Sequence, residues 1–138
     1  MQRQVPNHMV SIKRNNPGNI RHTALRWQGE ITAPGEAFCN FSSLEMGCRA
    51  MLKLLRRYIT VKKHNTIRMV IALWAPPSDS GNNTSAYIDY VARSMDVHPD
   101  DTISADRDTL IALASAMTRV EHRKSVPRSV WLDAYRLL

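Results

Sequence analysis

General-acid chemistry on an acetal bond needs at least one carboxylic acid that holds its proton near neutral pH, and the chain offers four glutamates for the task. Glu121 has the most suitable surroundings. On a helix it falls on the apolar stripe of Ala114 and Met117, and it stands at that helix's C-terminal end. Partial desolvation and the negative pole of the helix both favour the proton-holding form, while His122, Arg123 and Lys124 oppose it. The plainer reading is a carboxylate that finishes an amphipathic helix and pairs with a neighbouring base. Glu36 and Glu30 belong to a stretch rich in Asn, Gly, Pro and Thr, where a loop or hairpin can hold a second carboxylate over a cleft. Glu45 follows Ser42 at the spacing of a capping box, which gives it a structural task before any catalytic one.

A second group of residues suits recognition. In Lys13-Arg14-Asn15-Asn16-Pro17-Gly18-Asn19-Ile20-Arg21 the amides of Asn15, Asn16 and Asn19 can pair with N-acetyl and hydroxyl groups, and Pro17-Gly18 fixes a turn beneath them. The same residues also suit a capped turn whose Asn side chains satisfy their own backbone. Trp27 stands alone among polar residues and fits a stacking platform; Trp74 shares an apolar helical face and fits the core first. The five histidines and two cysteines show no metal-ligand spacing, so neither a metal nor a cofactor is expected. Cys39 and Cys48 read as reduced, partly buried thiols.

Helices must position these residues. Leu44, Cys48, Met51, Leu52, Leu55 and Ile59 recur at helical intervals and predict a helix over about 43–62. Asn65 or Thr66 can cap a second, carrying Ile67, Val70, Ile71 and Trp74 until Pro76-Pro77 forbids continuation. Thr84 can cap a third with Tyr87, Ile88, Val91 and Met95 inward. A fourth, over about 106–122, bears Leu110, Leu113, Ala114, Met117 and Val120. Pro127 suits the first turn of a last helix. Residues 13–41 read as loops with one or two short strands or a hairpin.

At 138 residues the chain reads as one domain, with 1–12 as an N-terminal extension and 13–138 as the folded unit. No apolar run approaches the length of a membrane span, and residues 1–12 lack the apolar core of a secretory signal. The net charge of +7 favours polyanionic partners, but the basic residues are dispersed and no nucleic-acid reader motif accompanies them.

The motifs RNNPGNIR, RWQGE, FCNFSSLEMGCRAMLKLLRRY, NTIRMVIALWAPP, NNTSAYIDYVARSM and ASAMTRVEH, in that order over about residues 12 to 122, resemble a family of phage-associated and prophage-associated proteins. NNPGNIR, Trp27-x-Gly29 and Phe38-x-x-Phe41-Ser42-Ser43 are similar to stretches of flagellar-type glucosaminidases. Trp74-Ala75 followed by Tyr87-Ile88-x-x-Val91 is similar to a stretch of lytic transglycosylases. The resemblance implies an α+β, mainly helical, lysozyme-like domain with a small irregular or β lobe, acting on bacterial peptidoglycan. In those murein hydrolases the glutamate-bearing helix precedes the Asn-Gly segment, so a circular permutation is implied, with the helix ending at Glu121 in that place. It also adds Arg21 and Tyr87 to the substrate-binding set. The function so implied is cleavage of the wall glycan strand, by hydrolysis or by lytic transglycosylation; the rival is a virion structural or wall-binding protein without activity. Made in the bacterial cytoplasm, such a protein would reach the wall by phage lysis, within a virion or through a secretion machine.

Overall fold

The computed structural model describes residues 11–78 and 81–138. Five α-helices carry the fold among them: α1 (Leu44–Thr60), α2 (Ile67–Trp74), α3 (Thr84–Met95), α4 (Arg107–His122) and α5 (Arg128–Arg136). Each ends where local chemistry dictates. Ser43 caps α1, its hydroxyl accepting from the Met46 amide at 3.2 Å. The expected capping box of Ser42 and Glu45 does not form, because the Ser42 amide donates to the Gly29 carbonyl at 2.9 Å and the cap moves one residue on. Thr66 caps α2. Asn83, not Thr84, caps α3; the Thr84 hydroxyl donates instead to the Ala75 carbonyl at 2.6 Å, tying α3 to the end of α2. Asp106 caps α4, and Asp96 and Arg123 end α3 and α4 in left-handed backbone. Pro127 precedes α5.

Helix α1 is the axis of the molecule. Cys48, Met51, Leu52, Leu55 and Ile59 are buried along it, and it packs most extensively on α5 and also on α4 and α2. Trp131 of α5 is fully buried, worth about 3 kcal/mol or less of transfer free energy by its area. Ile12, Ile20 and Phe41 join this core from outside the helices. The expected extension thus lies largely outside the described residues, at 1–10, while Ile12 packs inside.

The β lobe is not there. Residues 12–42 contain no strand, and their pairing is limited to two isolated antiparallel bridges, Arg21 with Phe38 and Glu30 with Phe41. The described residues are all-helical, so the α+β class with a β lobe expected above is overturned. The cause is local. Arg14, Asn15 and Asn19 take left-handed φ of 60°, 52° and 50°, which no strand allows. Side chains then capture the backbone groups a ladder would use: Asn16 Nδ2 donates to the carbonyls of Ile20 and Cys39 at 3.0 and 2.9 Å, and Thr32 Oγ1 accepts from the Asn40 amide at 2.9 Å.

Candidate active site

The turn at residues 16–19 meets the last turn of α4, and a cleft of about 480 Å³ opens beside the junction. Asn16 builds the turn. It is wholly buried, and its Oδ1 accepts from the Ile20 amide at 2.9 Å while its Nδ2 serves two carbonyls. With the loop so fixed, Asn19 in left-handed conformation aims its side chain across the junction, a backbone state Asn tolerates better than most residues. Its Nδ2 donates to Glu121 Oε1 at 2.7 Å. The other oxygen, Oε2, accepts from the Tyr87 hydroxyl of α3 at 2.9 Å. His122 Nε2 stands 2.8 Å from the Asn16 carbonyl, which can only accept, so that ring nitrogen carries the proton.

Tyr87 is buried. Burial, then the Glu121 charge and the hydrogen bond to it, push its phenol well above the ordinary range, so it remains a donor. The carboxyl of Glu121 is thereby held at two points on a half-buried helix end that faces a cleft.

The opposite wall is aromatic. Trp74, at the end of α2, donates from Nε1 to the Gly18 carbonyl at 2.9 Å and meets Tyr58 of α1 edge-on, with centroids 5.9 Å apart at 77°. A Cβ on Gly18 would lie 2.7 Å from Trp74 Cζ2, so only glycine admits this approach. Trp27 is half-buried on the same cleft. Arg21 lies over the Phe38 ring at 5.1 Å, with Arg14 near the same ring at 5.3 Å.

Of the residues singled out in the sequence, Asn19, Arg21, Trp27, Trp74 and Glu121 line one cleft, and Tyr87 supports Glu121. The others are elsewhere. Asn15 Nδ2 donates to the Phe41 carbonyl at 2.9 Å, and Asn16 is spent on the loop, so both have structural tasks. Glu30 accepts from the Trp27 amide at 2.9 Å, Thr32 Oγ1 at 2.6 Å and Arg26 Nη1 at 3.1 Å, and its side chain has no solvent exposure. Glu36 accepts from the Ala33 amide at 2.7 Å. Glu45 sits in the first turn of α1 and does not line the cleft. Glu121 is therefore the sole carboxylate on the cleft wall among the described residues. Tyr58 and Leu54 were missed; they sit one turn apart on α1 beside its core stripe, and that spacing was the available signal. Both cysteines are free and buried, as their sequence context suggested, and among the described residues no group of side chains could hold a metal ion.

No family sequence profile matches the chain. It is similar to Protein P5 of Pseudoalteromonas phage PM2, with 30% identity over 115 residues that cover 80% of this chain and 69% of that protein.

Proposed function

The chain belongs to the family of Protein P5 of Pseudoalteromonas phage PM2, and from its cleft we propose that it cleaves the glycan strand of bacterial peptidoglycan. The observation that carries the reading is Glu121, a helix-ending carboxyl oriented by Asn19 and Tyr87 into a cleft walled by Trp27 and Trp74. Aromatic walls suit sugar rings, and Asn19 and Arg21 offer donors to hydroxyl and N-acetyl groups. Among the described residues no helix is long and apolar enough to cross a membrane.

A single carboxylate on the cleft wall among the described residues favours one of the two reactions. Hydrolysis with inversion or retention uses two carboxylates, whereas attack by the substrate's own hydroxyl needs one. Glu121 in its acid form gives its proton to the glycosidic oxygen as the C1–O bond breaks. The resulting carboxylate then takes the proton of the same sugar's C6 hydroxyl as that oxygen bonds to C1, which restores the acid and releases a 1,6-anhydro end. Tyr87 and Asn19 hold the carboxyl through both transfers.

Glu121→Gln keeps the shape and both neighbours while removing the transferable proton. Purified murein should lose turbidity with the parent chain and not with the variant, and mass spectrometry should find anhydro ends. An inactive parent or a fully active variant overturns the proposal. A wall-binding virion protein without activity is the second reading, favoured by one fact: both Glu121 oxygens already accept hydrogen bonds within the protein. It predicts retention on murein without cleavage.

A further inference from the structure

A second groove, of about 640 Å³, lies along the outer face of α1 and shares Leu25 and Trp27 with the cleft. Its volume is in the roughly 300–1,000 Å³ range of sites for small ligands. Five cations line it and no carboxylate does. Two of the five have tasks in the fold: Arg26 pairs with Glu30, and Arg49, buried, donates from Nε to the Leu137 carbonyl at 3.1 Å. The other three, Lys53, Arg56 and Arg57, follow one another at helical spacing on α1, and none forms an ion pair among the described residues. An unpaired cationic row with exposed apolar Leu25 and Val61 beside it is built to take an anionic chain that also carries aliphatic side chains.

We infer that this groove binds the peptide stem of the glycan strand whose backbone occupies the cleft, with Lys53, Arg56 and Arg57 pairing to the stem's carboxylates. The inference rests on the glycan reading above. Continuity carries it: a stem leaving a sugar seated near Trp27 passes directly over the rim that the two cavities share. Nucleic acid is the poorer fit, since Trp27 is the groove's sole aromatic residue and a single-strand site stacks successive bases.

The test uses the full chain carrying Glu121→Gln, so that bound murein is not consumed. Retention on intact sacculi is compared with retention on sacculi stripped of their stems by an amidase. The inference expects tighter retention on intact sacculi, and a loss of about tenfold when Lys53, Arg56 and Arg57 are all replaced by Ala, the scale of several exposed charge pairs acting together. On stripped glycan the same triple replacement should change nothing, and Lys53→Arg with Arg56→Lys and Arg57→Lys should retain intact-sacculus binding. Equal retention on both substrates, or a triple-Ala loss that is the same on both, overturns the inference and leaves the glycan reading standing. Retention on neither overturns the glycan reading itself. A triple-Ala variant that keeps its murein binding and loses affinity for DNA assigns the groove to nucleic acid instead and overturns the inference.

Discussion

Glu121 receives one hydrogen bond from the beginning of the chain and one from α3, so its carboxyl is fixed by residues that pack independently of each other. Tyr87 is the more informative of the two donors. Its ring is buried in the core and its hydroxyl donates to the carboxylate, so Tyr87→Phe removes the donor and keeps the packing. We expect kcat on murein to fall by about tenfold, the scale of one hydrogen bond to a charged group, with KM unchanged. A Tyr87 that only fills volume would leave kcat alone, and steady-state rates on soluble glycan fragments distinguish the two. Arg21, by contrast, lies on the cleft wall over Phe38, where a role in binding would raise KM at constant kcat.

The elements meet at glycines whose reason is invisible in the sequence. Gly47 lies in the second turn of α1, and a Cβ there would fall 1.7 Å from the Asn15 carbonyl oxygen. The loop of residues 12–20 therefore rests directly on the α1 backbone. Gly47→Ala should cost about 3 kcal/mol or more, because backbone faces backbone and neither can turn aside, and a urea midpoint measures it. A shift of less than about 1 kcal/mol would mean the loop yields, and with it the geometry of Asn19. All five helices were legible in the sequence, since their apolar periodicity, the Thr66 cap and Pro127 at the start of α5 all act within a few residues. The caps Ser43 and Asn83 were misplaced by one, because the competing partners of Ser42 and Thr84, the carbonyls of Gly29 and Ala75, come from distant positions. The expected strands failed for the same reason. Ala37-Phe38-Cys39 has strand-forming residues, yet Asn16, remote in sequence, takes the Cys39 carbonyl. At the site, Glu121 and Asn19 were legible by type, but Glu30 and Glu36 could be assigned to turns only once their backbone partners were known.

At the scale of the whole molecule the cleft closes the fold on itself, for the Asn19–Glu121 bond joins residues 102 apart and the core includes Ile12 at one end and Ala134 near the other. Conditions that loosen the fold should therefore abolish the site as well, and acid is the sharpest of them. For Glu30, burial alone would raise the carboxyl, but the hydrogen bonds from Thr32 and the Trp27 amide, with the charge of Arg26, together hold it below its ordinary value of 4.5. Asp100 is lowered by Arg68, Asp106 by Ser104 and Asp108 by Arg107. Those three are exposed, so salt screens them and Glu30 carries the larger share. A carboxyl depressed in the folded state binds fewer protons there than in the unfolded chain, so its stabilisation is complete above the unfolded value and disappears as pH falls through the folded one. Acidification also raises a net charge that is already +7, which adds self-repulsion. The urea midpoint should accordingly decline steadily below about pH 4.5, and Glu30→Gln should start lower at pH 7 and decline less. A parent midpoint that stays level into that acid range, or a variant that declines as steeply as the parent, would show that the turn around Glu30 does not couple protons to folding.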